Sequence, residues 1–199
     1  MEAFSDGVLA IVITIMVLEL DVPDGEGLSA LRPLLPSFLS YALSFVYIAI
    51  YWNNHHHMLQ AARKIDGSVL WANMHLLFWL SLVPFTTGWM GENHFAALPT
   101  ALYGVVLLMA AIAYTILERR LIAASGADSQ LARAVGTDFK GKVSIILYLL
   151  AIAFAFVFRW VSDLLYLSAA LLWLIPDRRI ERSLREGEVP EKASRSTEQ

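Results

Sequence analysis

The chain has 199 residues, 57% of them hydrophobic and 17% charged, with a mean hydropathy of +0.56. A soluble domain of this size needs more charge to cover its surface, so the composition points to the bilayer as solvent. The net charge of −3 gives no sign of a nucleic-acid partner, and the lack of cysteine excludes disulfides and Cys-based zinc or redox sites.

A transmembrane helix needs about 20 predominantly apolar residues, and six segments approach that length. The first runs from about Ala3 to Leu20 and ends near Asp21-Val22-Pro23. It has acidic Glu2 and Asp6 where a signal peptide has a basic n-region, and no small-residue cleavage site before Pro23, so it reads as a retained helix. The second starts after Pro36 and carries a polar tail at Asn53–His57. The third covers Ser68 to Trp89, with Pro84 predicting a kink. The fourth runs from about Ala96 to Leu117, and the polar, small-residue stretch Ala123–Asp138 that follows reads as a loop with one short helix. The fifth (Val143 to Phe158) and sixth (Val161 to Ile175) are short, and the tight turn between them predicts an antiparallel hairpin. Residues 1–185 are thus expected to form one six-helix transmembrane domain. The charged tail 186–199, poor in apolar residues, is predicted to be disordered.

Lys and Arg set the expected orientation. With the N-terminus cytoplasmic, thirteen of the 15 basic residues fall inside, and only Arg32 and Arg159 fall outside. The positive-inside rule therefore places both termini in the cytoplasm. The expected fold class is an all-α integral membrane protein of six transmembrane helices, located as a multi-pass protein in the cell membrane.

The first helix holds the residues of most interest. Ile11, Ile15 and Leu18 recur at i, i+4 and i+7 and share one face, with Thr14 beside them and Val8 one turn earlier. Nearly every residue here is apolar, so any face of this helix shows such a stripe, and periodicity alone is a weak argument for a pore lining. Ser5 is a candidate N-cap and Asp6 sits where the helix dipole favours an acid. An acid at the edge of the hydrocarbon also needs a partner or water. The cluster Asn53-Asn54-His55-His56-His57 falls at the same membrane face, so a His is expected to pair with Asp6, and such a pair would respond to pH near neutrality. Consecutive helical positions point about 100° apart, so His55, His56 and His57 cannot all address one ion, and no metal site is predicted. There is no TVGYG filter, Walker loop, HExxH or GxSxG, and no enzyme activity or cofactor is expected.

The run Glu2-Ala3-Phe4-Ser5-Asp6-Gly7-Val8-Leu9-Ala10-Ile11-Val12-Ile13-Thr14 resembles the signature of the transmembrane protein 175 family, the lysosomal and prokaryotic potassium channels. Tyr51-Trp52-Asn53-Asn54-His55-His56-His57 is similar to the family's Trp-x-x-His-His segment, and Leu82-Val83-Pro84-Phe85 matches its third helix. The resemblance implies a homotetramer with four first helices around a pore permeable to K+ and other monovalent cations, surrounded by membrane lipid and without nucleic acid. It implies an aliphatic constriction at Ile11, further apolar rings at Ile15 and Leu18, and a selectivity role for Thr14. It also implies a polar network of Ser5 and Asp6 with His55 or His56. The family's Arg, four residues before the Phe, corresponds to a position just before Met1. Two other readings stay open: a proton-coupled or proton-conducting transporter using Asp6 and the His cluster, and a membrane metalloenzyme using His55–His57.

Overall fold

A computed structural model describes residues 1–62, 64–126, 129, 131–132 and 139–174, and all regular structure among these residues is helical. In chain order the helices are α1 (Glu2–Leu18), a 3-10 helix (Leu28–Leu34), α2 (Leu35–Gln60), α3 (Gly67–Ser81), α4 (Val83–Glu92), α5 (Ala97–Ser125), α6 (Phe139–Ala155) and α7 (Arg159–Leu174). The tail predicted to be disordered, 186–199, lies outside the described residues, as does the domain boundary at 185.

Two expectations about the elements are corrected. The third segment is two helices rather than one kinked helix, and the junction lies at Leu82, ahead of the proline. Pro84 has no N–H to donate to Leu80, and its ring crowds that carbonyl. The Leu82 amide turns back to Trp79 O at 3.2 Å, and the helix restarts with Thr86 N bonding Leu82 O at 3.2 Å. The fourth segment is longer than expected. Nothing breaks the helix until Gly126, whose φ of +97° suits glycine, so α5 absorbs the basic pair Arg119-Arg120 and the first residues of the expected loop. Smaller shifts occur elsewhere: α1 stops at Leu18, and α2 starts at Leu35 with Pro36 in its first turn, where a missing N–H costs nothing.

Three helical stretches are long and apolar enough to cross a membrane: Leu28–Gln60, Gly67–Glu92 and Ala97–Ser125. The remaining helices, α1, α6 and α7, have 17, 17 and 16 residues. Each is therefore about 25 Å long, slightly less than the hydrocarbon thickness.

The interior has two apolar clusters. One joins α1, α2, α3 and α5 around Leu9, Val12, Met16, Ile48, Leu76 and Leu117. The other joins α2, α4, α5, α6 and α7 around four buried tyrosines, Tyr47, Tyr103, Tyr148 and Tyr166. Several polar atoms around this second cluster pair within the bundle, as a membrane interior favours. Tyr47 Oη donates to Tyr166 O at 2.6 Å, Tyr166 Oη to Thr100 O at 3.0 Å, and Ser44 shares a 2.7 Å hydrogen bond with Thr87. Helices α6 and α7 form the expected antiparallel hairpin. Ser162 Oγ reaches Ala151 O at 2.8 Å near the turn, and Trp173 Nε1 reaches Ser144 Oγ at 2.7 Å at the far end. Helix α1 packs chiefly against α2, α3 and α4, at the side of the bundle away from this hairpin.

Candidate pore helix and its polar anchor

Helix α1 is locked on one side and open on the other. Ser5, Leu9, Val12 and Met16, spaced four, three and four residues apart, are buried against the bundle. On the opposite side Phe4, Ile11, Ile15 and Leu18 are 57%, 59%, 41% and 81% exposed, so an apolar face stands without a partner in the single chain. Thr14 lies on this open side, with its hydroxyl donating to Ile11 O at 2.9 Å, which uses its proton and leaves Oγ1 able to accept. Val8 differs from the rest of the expected stripe, because it is half-buried and packs on the core. Beside the open face runs a groove of about 700 Å³ between α1 and α4, lined by Ile11, Ile15, Pro84 and Phe85 among others, with Glu19 and Glu92 also on its wall.

The first turn of α1 is held by two polar systems. The buried one is a chain across three helices: Asn73 Nδ2 on α3 donates to Ser5 Oγ at 3.0 Å, and Asn73 Oδ1 meets His55 Nε2 on α2 at 2.7 Å. Ser5 Oγ in turn donates to Met1 O at 3.1 Å. Ser5, His55 and Asn73 are each 1% exposed or less. The outer system carries the carboxylates. Trp52 Nε1 donates to Asp6 Oδ1 at 2.9 Å, and its ring stacks on His56 with centroids 5.7 Å apart. His56 Nδ1 lies 2.9 Å from Glu2 Oε1, and its Nε2 meets Gln60 Nε2 at 2.9 Å.

The start of α1 and the polar end of α2 do come together, but not through the expected pair. Asp6 takes its hydrogen bond from Trp52, not from a histidine. His55 turns into the bundle toward Asn73, and the histidine facing an α1 carboxylate is His56, toward Glu2. The physical reason is the crossing of α1 and α2, which sets Trp52 opposite Asp6 and places His56, one turn further on, opposite Glu2. Sequence reasoning did not single out Asn73, Trp52, Glu2 or Gln60 as parts of this site. Asn73 carried a readable signal, because an amide in the apolar run Val69–Leu76 is costly in a membrane helix without a partner. Among the described residues, ligand atoms of Glu2, Asp6 and His56 lie within 4.8 Å of one another, the one grouping of acids and histidines close enough to share a cation.

This arrangement can be set beside known proteins. A family model described as the endosomal/lysosomal potassium channel TMEM175 matches residues 1–84. A potassium channel of Chryseobacterium sp. is 56% identical over 186 residues, covering 94% of this chain and 97% of that protein. A potassium channel of Chamaesiphon minutus is 33% identical over 175 residues, covering 81% of this chain and 85% of that one. The mouse endosomal/lysosomal proton channel TMEM175 is 34% identical over 95 residues, 42% of this chain and 19% of its own length. Among solved structures, the crystal structure of a lysosomal potassium-selective channel TMEM175 homolog from Chamaesiphon minutus matches with a TM-score of 0.75 and 31% identity. That match covers 88% of this chain and 95% of the other.

Proposed function

The chain belongs to the TMEM175 family, and on that premise we propose that it is a potassium-permeable cation channel of the cell membrane. Four copies assemble with their α1 helices around a common axis, so that the exposed face of α1 lines the pore. All six helical segments cross the bilayer with both termini cytoplasmic; the short helices α1, α6 and α7 are accommodated by local thinning of the membrane. The observation that carries this reading is the division of α1 into two faces. One face is anchored by Ser5, Leu9, Val12 and Met16, and the other leaves Ile11, Thr14, Ile15 and Leu18 exposed in the single chain.

In this reading Ile11 forms the narrowest ring, and Ile15 and Leu18 extend an apolar neck that closes by dewetting. Potassium releases hydration water more readily than sodium, so a neck that strips water favours it, and a ring of Thr14 hydroxyls replaces part of the lost hydration. Ser5, Asp6, His55 and His56 hold the first turn of α1 in place through Asn73 and Trp52. The test is single-channel recording from reconstituted protein under potassium and sodium gradients. Ile11→Asn is expected to raise conductance; an unchanged conductance moves the neck elsewhere.

A second reading is supported by the titratable trio Glu2, Asp6 and His56 and by vertebrate relatives named as proton channels. In it the polar end of α1 and α2 relays protons, alone or coupled to another ion. Liposome flux separates the two readings. Passive potassium flux that is indifferent to a proton gradient supports the channel, and flux that requires the gradient supports the relay.

A further inference from the structure

We propose that Glu2, Asp6 and His56 form a binding site for a zinc-class divalent cation that joins the first turn of α1 to α2. Glu2 and Asp6 are one helical turn apart and share a face, and His56 approaches that face from α2. The three ligand atoms lie within 4.8 Å of one another. A tetrahedral ion bound at about 2.1 Å needs its donors roughly 3.4 Å apart, so small side-chain rotations close the site.

Two features distinguish this cluster from an exposed patch of acids. The first is a close contact: the Nδ1 atom of His56 lies 2.9 Å from Glu2 Oε1, the distance of an ion pair. Two such atoms at that distance hold a positive charge between them, either a proton or a metal ion in its place.

The second feature is that the donors are already oriented. Trp52 serves two of them: its ring stacks on His56 at an interplanar angle of 25°, and its N–H holds Asp6 Oδ1 at 2.9 Å. That bond leaves Asp6 Oδ2 available to an ion. The second nitrogen of His56, Nε2, lies 2.9 Å from the Gln60 amide. A metal-ligating imidazole donates its other N–H to a nearby acceptor, and rotating the Gln60 amide by half a turn supplies its oxygen for this purpose. One imidazole with two carboxylates suits zinc, nickel or cobalt rather than magnesium or calcium, and three protein donors leave a position for water. His55 takes no part because it is buried and turned into the bundle toward Asn73 on α3. The site stands on the geometry of a single chain and is independent of the channel reading.

The test uses the full chain in detergent, stripped of metal. Zinc chloride is titrated by calorimetry, and cobalt(II) is followed by its visible absorption. The expected result is one zinc per chain, a cobalt spectrum of low coordination number, and a zinc-dependent rise in Tm. Glu2→Gln and His56→Ala should each weaken zinc by about tenfold or more, whereas His57→Ala should leave the affinity unchanged. Glu2 is 43% exposed, so Glu2→Gln keeps the fold, which its Tm without zinc verifies. The absence of saturable binding overturns the proposal, as does an affinity unchanged in either Glu2→Gln or His56→Ala.

Discussion

Asn73 on α3 donates its side-chain N–H to Ser5 Oγ on α1 at 3.0 Å, and this contact orders a chain of four groups. The Ser5 hydroxyl proton is directed to Met1 O, so Ser5 accepts from Asn73. The Asn73 oxygen then faces His55 Nε2 at 2.7 Å, which makes that nitrogen the donor. Three helices are thereby tied together at a buried point beneath the open face of α1. Ser5→Ala would leave the Asn73 amide without an acceptor, at a cost of about 1–3 kcal/mol. Thermal unfolding in detergent should show the loss; a Tm equal to that of the parent protein would mean that the network contributes nothing to stability.

Thr14 is a polar group on the open face of α1, exposed, with its hydroxyl donating to Ile11 O. Thr14→Val keeps the shape and removes the oxygen. The fold should be unaffected, while the potassium-to-sodium permeability ratio drops severalfold, read from reversal potentials under bi-ionic conditions. A ratio that does not change removes Thr14 from the selectivity argument.

Gly104 lies at a close approach of α5 to the α6–α7 hairpin. A Cβ at this position would collide with the Tyr166 hydroxyl and lie 2.8 Å from Ile152 Cγ1. The hydroxyl is also the group that donates to Thr100 O at 3.0 Å. Gly104→Ala should destabilise the fold by about 1–3 kcal/mol through overpacking. Gly67→Ala is the control, because a Cβ there meets nothing within 4 Å. Chemical unfolding of the two variants side by side gives the comparison, and equal midpoints would refute the close approach.

Asp66 caps α3, accepting from Ser68 Oγ at 2.7 Å and from Val69 N at 3.0 Å. The Ser68 hydroxyl, followed by the Val69 N–H, holds its carboxyl below the usual carboxylate range. A carboxyl depressed in the folded state stabilises the protein above its ordinary pKa, and that contribution disappears as pH falls through the folded value. Asp66→Ala should therefore lower Tm at neutral pH, and the gap from the parent should close as pH falls below about 4. A gap of the same size at acid and neutral pH would show that the charged carboxylate is not what stabilises the cap.

Much of this protein was determined by sequence alone. Helix positions followed from hydropathy and from breakers, because a bilayer requires each spanning segment to satisfy its own backbone, a local condition. The polar end of α2 and the acidic start of α1 were legible for the same reason, as were the residues of the stripe Ile11, Ile15 and Leu18. Other features depended on neighbours. The face of α1 that stays open required knowing that Ser5, Leu9, Val12 and Met16 pack inward. In a helix that is apolar on every side, periodicity cannot select a face; only contact with α2, α3 and α4 does. The partners of Asp6 and of the histidines were decided by tertiary structure in the same way. Helical spacing sets the direction of each side chain from its own axis, but the register between α1 and α2 comes from how their surfaces interlock. That register puts Trp52, not a histidine, on Asp6, and leaves His56 facing Glu2.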